Sequence, residues 1–166
     1  KEYIFKDFHK QITNALERVM RWEIKKLMIS VPPQHWKSTI SSQRFPLFAH
    51  LKNPLENIVL ASYSQDLSKW HLSKIRQLIS GTRFNKLWEI NLISDTAVSY
   101  ELKEWGTFNA VWVWWALTWK PVDLLIIDDV HKDRAEYESQ AINNAVWDWY
   151  TSVALSRLHK DSRQVL

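Results

Sequence analysis

KLMISVPPQHWKST, residues 26–39, is the stretch on which the reading of this chain turns. An apolar run, Leu27-Met28-Ile29-Ser30-Val31, leads into Pro32-Pro33-Gln34-His35, then Trp36-Lys37-Ser38-Thr39, then a helical pattern. Strand, turn, Lys-Ser-Thr and helix are the parts of a phosphate-cradling loop. In such a loop backbone N–H groups and one lysine hold the phosphates, and a hydroxyl holds Mg2+. One residue conflicts with it. The position before the lysine calls for glycine, because the chain turns sharply and the phosphate must touch the backbone. Here that position is Trp36.

The conflict has a counterpart in the composition. The 166 residues include 2 Gly and 11 Trp, whereas a chain of this length ordinarily carries roughly 12 glycines. Exchanging nine tryptophans for glycine would give 11 Gly and 2 Trp, both ordinary values. Trp22, Trp36, Trp70, Trp88, Trp105, Trp112, Trp114, Trp115 and Trp119 fall mostly at segment ends and in loops. Trp147 and Trp149 lie inside a strongly helical pattern and read as true tryptophans.

The rest of the composition is that of one soluble domain with a core of its own: 46% hydrophobic and 24% charged. No apolar run has transmembrane length, and the opening KEYIFKDFHKQ is not a signal peptide. The chain has no cysteine, which excludes disulfides and thiolate metal sites and suits an intracellular protein. A net charge of +4 permits nucleic-acid binding without demanding it, since the basic residues are spread along the chain.

Periodicity predicts a helix over 4–21, ended near Trp22 where a C-terminal glycine is expected. A strand over 26–31 follows, then a helix from about 37 that bends or stops near Pro46. NIVLAS (57–62) reads as a second buried strand, 65–80 as a helix and 81–88 as a connection. Residues 97–103 and 107–113 read as paired strands around the turn Glu104-Trp105-Gly106, and 112–121 as a loop. DLLIIDD (123–129) has the pattern of a buried parallel strand closed by two carboxylates. A long helix over 134–158 and the start of a strand at RQVL (163–166) complete the chain. Strands alternating with helices give an α/β fold with a mainly parallel sheet.

Alone, Lys37-Ser38-Thr39 also fits a capped helix N-terminus, and Asp128-Asp129 also fits the beginning of a turn. Together they point to a bound nucleotide. One carboxylate would orient Mg2+ beside the Ser38 hydroxyl and the other would polarise an attacking water. Both sites fall at strand C-termini, where open α/β sheets bind ligands. Ser62-Tyr63-Ser64 ends on the same edge and fits either a nucleotide contact or a capped turn. His35 is placed to shape the loop, and Arg83, Arg134 and Arg157 are candidates for stabilising leaving-phosphate charge. The six histidines show no zinc spacing. Taken literally, Trp112, Trp114 and Trp115 could stack on bases.

Four segments carry a family resemblance: RWEIKKLMISVPPQHWKST, NIVLASYSQDLS, GTFNAVWVWWALTWKPVDLLIIDDVHKDRAEYES and VWDWYTSVALSRL, covering most of residues 8–158. The chain resembles the ATPase domain of the large terminase subunit of tailed bacteriophages, a P-loop NTPase that packages DNA. The resemblance implies a single N-terminal ATPase domain over 1–166, with a helical lead-in (1–25), a P-loop core (26–166) and no nuclease domain. It implies ATP and Mg2+ as cofactors, with Gln34, His35, Trp36, Lys37, Ser38 and Thr39 around ATP. Lys37 would hold the β/γ-phosphates, Ser38 and Asp128 the metal, and Asp129 would be the catalytic carboxylate. The implied partners are double-stranded DNA, the portal protein, the small terminase subunit and further copies in a homo-oligomeric ring, without a membrane. The implied location is the host cytoplasm, at the procapsid portal.

The family pattern has glycine where this chain has Trp22, Trp36, Trp105, Trp112, Trp114, Trp115 and Trp119, and aromatic residues at Trp147 and Trp149. Val31 and Gln34 also depart from it, Gln34 standing where arginine is common. A gene that reads UGA as glycine, translated with UGA as tryptophan, would produce this pattern. The expectation is TGA at the nine positions and TGG at Trp147 and Trp149, with the literal Trp36 form inactive. The other readings are a helicase-like P-loop ATPase, separated by whether a nuclease domain follows, and a non-catalytic Trp-rich nucleic-acid-binding module.

Overall fold

The computed structural model describes residues 6–32, 34–81, 90–115 and 121–166. In chain order the elements are α1 (Asp7–Met20), β1 (Lys26–Leu27), a π-helical segment (Thr39–Arg44) running into α2 (Phe45–Lys52), β2 (Asn57–Ser62), α3 (Gln65–Ser80), β3 (Leu92–Asp95), β4 (Ser99–Leu102), β5 (Thr107–Trp112), β6 (Val122–Ile127), α4 (Arg134–Glu138), α5 (Gln140–Trp149) and β7 (Leu158–Val165). They form an α/β fold around one seven-stranded sheet of order β1-β7-β6-β2-β5-β4-β3. β1, β7, β6, β2 and β5 pair in parallel, and β4 and β3 extend the sheet antiparallel.

The central strands are apolar on both sides because both faces are covered, as parallel sheets require. Ile58 and Leu60 of β2 and Leu124 and Ile126 of β6 face a core with Leu16 and Val19 of α1, Phe45 and Leu47 of α2, and Leu72 and Ile75 of α3. The alternate residues Val59, Ala61 and Leu125 face a second cluster containing Trp149 and Ala154. The two-residue alternation of a strand therefore serves two cores. Trp149 is 4% exposed and its indole N–H donates to the Trp115 carbonyl, the surroundings of a true tryptophan. Among the described residues no helix is long and apolar enough to cross a membrane.

Four expectations are corrected. The helix after residue 37 does not stop at Pro46: Arg44 and Phe45 keep right-handed helical dihedrals, and the Phe45 N–H reaches back five residues to Ile40. That wider turn passes into α2 with Pro46 at its N-terminal end, where no N–H is needed. The long helix over 134–158 is broken at Ser139, whose extended backbone and side chain cap α5 through Ile142 N–H. The last strand begins at Leu158 rather than 163, and β3 had no sequence signal strong enough to place it. The first strand is shorter than 26–31, but Ile29 N–H still bonds Leu166 O at 2.8 Å and extends the pairing with β7.

The backbone also bears on the tryptophans. Trp22, Trp36, Trp105 and Trp114 have φ of 60, 64, 75 and 89°, the left-handed region in which a Cβ clashes with the following carbonyl. Three of them sit in hydrogen-bonded motifs that favour glycine. Trp22 follows the α1 C-cap, with its N–H on Val19 O and the next N–H, of Glu23, on Arg18 O, the double bond of a Schellman ending. Trp105 N–H closes a turn on Leu102 O and Leu102 N–H bonds Gly106 O, the hairpin in which a left-handed residue forms a glycine bulge. Trp114 is third in the turn closed by Trp115 N–H on Trp112 O, where a type II turn takes glycine. Gly106 itself admits no side chain: a Cβ there would lie 2.1 Å from Pro54 O. Trp70, Trp112 and Trp115 lack this backbone signature, and Trp88 and Trp119 lie outside the described residues.

Candidate functional site

The loop after β1 and the acids after β6 meet at the C-terminal edge of the parallel strands, with β7 between the two strands. Lys37 Nζ lies 2.9 Å from Asp128 Oδ1 and 3.2 Å from Asp129 Oδ1, bridging 91 and 92 positions of sequence. A cleft of about 520 Å3 opens there, lined by Val31, Pro32, Gln34, His35, Trp36, Lys37, Ser38, Thr39 and Asp129. That is within the range of small-molecule sites.

The two carboxylates differ in setting. Asp128 is 1% exposed, beneath the cleft, and its Oδ2 accepts from Ser42 Oγ at 2.8 Å. Burial pushes its carboxyl up, but the Lys37 ammonium and the hydrogen bonds from Lys37, Ser42 and Ser38 prevail, so the group sits below its ordinary value. Burial acts to lower Lys37 in turn, and the Asp128 carboxylate, followed by Asp129, raises it above the usual lysine value. Asp129 is open to the cleft, with φ of 51° and its carbonyl accepting from Tyr63 N–H at 2.8 Å. Gln34 and Trp36 share the left-handed backbone at 64°, so three such residues line one cleft. Strain concentrated at one place is a property of functional sites.

Among the described residues no three His, Asp or Glu side chains gather to hold a metal. Magnesium does not require such a cage: one or two carboxylates with substrate phosphates and water suffice. Asp128 Oδ1 is a buried oxygen with no well-directed hydrogen bond, faced by the Lys37 ammonium, so a cationic partner is built into the site. With Ser38 lining the cleft and near enough to lower the pKa of the same carboxylate, Asp128 and Ser38 fit a magnesium ion.

The remaining sequence candidates separate clearly. His35 Nδ1–H donates to Pro32 O at 3.1 Å, which shapes the loop. Thr39 lines the cleft and begins the π segment. Ser62 is fully buried, while Ser64 Oγ caps α3 through Leu67 N–H, so this stretch is a capped turn. Arg134 lies on a neighbouring hollow shared with Lys37 and Asp129 but pairs with Glu138 at 2.6 Å. Arg157 precedes β7 and so stands at the opposite edge of the parallel sheet, too far round to serve. Arg83 lies outside the described residues. Trp112 and Trp115 pack edge to face at 4.7 Å, while Trp114 is 52% and Trp115 45% exposed.

Ser42, Gln43 and His71 were not singled out by sequence reasoning, yet Ser42 and His71 lie against Asp128 and Gln43 holds His71 from behind. Two signals were available. Ser42 is four residues past Ser38, on the same helical face, and His71 interrupts the buried stripe Ser68, Leu72, Ile75 and Ile79 of α3. No family model and no curated protein matches the chain.

Proposed function

We propose that this chain is a Mg2+-dependent P-loop ATPase domain of the large-terminase type, whose hydrolysis drives double-stranded DNA into procapsids. One observation carries the reading: the Lys37 ammonium is brought between the two carboxylates of Asp128 and Asp129 at the mouth of a cleft walled by the 31–39 loop. The terminase assignment, with its ring, its portal and small-subunit partners and its place at the procapsid, rests on the sequence resemblance. Residues 1–166 are then its motor domain. We propose further that positions 22, 36, 105 and 114 are glycine in the encoded protein, since all four tryptophans stand in left-handed backbone.

In this reading the Lys37 ammonium leaves the carboxylates for the β/γ-phosphates when ATP enters. Magnesium, when bound, would supply neutralisation of the phosphate charge. Ser38 and Asp128 would hold it; the buried Asp128 carboxylate is kept ionised in the resting site by the Lys37 ammonium and its hydrogen bonds, against the effect of burial. Asp129 faces the cleft and orients the attacking water. Trp36, as written, projects an indole into this space and is 44% exposed on the cleft.

The test is the division of labour between the acids, measured with glycine at 22, 36, 105 and 114. Asp128→Asn should remove the Mg2+ dependence of ATP binding, Asp129→Asn should keep binding and lose hydrolysis, and Lys37→Ala should lose both. Loss of an electrostatic group at a developing charge is worth about 10^2–10^3 in kcat. Duplex DNA should stimulate the parent. A glycine-restored chain that binds no MgATP overturns the proposal.

A further inference from the structure

Asp128 uses its two oxygens differently. Oδ1 faces Lys37 at 2.9 Å and makes no well-directed hydrogen bond. Oδ2 faces protein, accepting from Ser42 Oγ at 2.8 Å with His71 Nε2 at 3.5 Å. On its other side the His71 ring meets Gln43, Nδ1 to Nε2 at 3.3 Å. Asp128, His71, Gln43 and Ser42 are 1%, 1%, 6% and 0% exposed, so water does not compete for these contacts.

The chemistry fixes the proton. A carboxylate only accepts, so the ring nitrogen facing Asp128 carries hydrogen and Nδ1 accepts from the Gln43 amide. A buried histidine within an apolar stripe costs stability unless it is partnered, and a leucine would fill the same space. Ser42 and Gln43 belong to the helix that begins at Lys37, whereas His71 comes from α3, whose Ser68 hydroxyl bonds Val111 O of β5. The carboxylate is thus gripped from two independent elements.

We propose that His71, oriented by Gln43, is a positioning residue for Asp128: with Ser42 it fixes the rotation of the carboxylate, so that Oδ2 is engaged by protein and Oδ1 alone is presented to the cation. This rests on reading Asp128 as the magnesium acid. Residues behind a metal ligand typically carry about 10–100-fold in metal affinity.

The experiment uses the glycine-restored chain, with Mn2+ binding followed by electron paramagnetic resonance in the presence of a non-hydrolysable ATP analogue. Nucleotide binding in EDTA is measured beside it. His71→Leu should weaken Mn2+ about tenfold or more and leave metal-free nucleotide binding unchanged. His71→Gln should restore most of the loss, because its amide nitrogen reaches the place of Nε2. Gln43→Leu leaves His71 in place and serves if His71→Leu does not fold; it should weaken Mn2+ and shift the ring tautomer seen by 15N NMR. Unchanged Mn2+ affinity in folded His71→Leu, or in Gln43→Leu, overturns the proposal, as does an Nδ1–H tautomer in the parent. A parent that binds no Mn2+ with nucleotide refutes the nucleotide reading itself, a different outcome.

Discussion

Replacing Trp105 tests the glycine assignment where other effects are smallest. The indole is 72% exposed, so little packing is lost with it. Its φ of 75° places a Cβ in left-handed backbone, which costs about 1–2 kcal/mol for an L-residue. Glycine removes that strain but frees the unfolded chain, which offsets about 0.4–1 kcal/mol. Trp105→Gly should therefore stabilise by about 0.5–1 kcal/mol, or roughly 1–4 °C in Tm for a domain of this size. Trp105→Ala supplies the control, because it removes the same indole and keeps the Cβ. Urea unfolding of both variants should put the glycine form ahead of the alanine form by about 1 kcal/mol. An alanine form equal to or more stable than the glycine form would mean that position 105 carries no left-handed strain.

Three further outcomes follow from the geometry. Trp22→Gly should gain less than Trp105→Gly in the same assay, because Trp22 lies 4.2 Å over the Arg163 guanidinium and its indole N–H reaches Asp161 O. His50 is buried between Tyr100 Oη at 2.8 Å and Glu56 O at 3.0 Å. Burial lowers its pKa from 6.5 to about 4. The unfolded state therefore binds the extra proton between those values, and stability present at pH 7 is lost as pH falls toward 4; about 2.5 units are worth about 3 kcal/mol. Parent protein should lose about that much more than His50→Gln over this range by urea unfolding, and equal losses would contradict it. Arg163 Nη2 and Glu56 Oε1 form a 2.6 Å ion pair with both side chains buried. Arg163→Ala should destabilise by about 3–5 kcal/mol by leaving a buried carboxylate unpaired, and Arg163→Ala with Glu56→Gln should recover part of it.

The parallel half of the fold was legible because its strands are continuous apolar runs: NIVLAS and the run before Asp128 stand where the sequence places them. The pairing of Lys37 with two acids after another strand was legible for the same reason, since both follow strands at one sheet edge. What was not legible depended on tertiary contact. The break at Ser139 is a side-chain cap inside an otherwise helical pattern, and the helix runs on through a π segment past a proline that by itself predicts a bend or a stop. His71 was hidden because a buried polar residue in a helix stripe gains meaning only from its partner, which comes from a segment 28 residues away. The tryptophans were legible as a compositional conflict, and the backbone sharpens it. It places the tryptophans at 22, 36, 105 and 114 in left-handed backbone, which favours glycine, and gives no such signature at 70, 112 or 115.

The nucleotide reading rests most heavily on position 36. Titration of a fluorescent ATP analogue with Mg2+ into the chain as written, and into the chain changed only by Trp36→Gly, tests it most directly. The Trp36→Gly variant should bind saturably and lose that binding on adding Lys37→Ala. The chain as written, whose Trp36 indole stands in the cleft on a left-handed backbone, should not bind. Tight MgATP binding by the chain as written, or none by the Trp36→Gly variant, would contradict it.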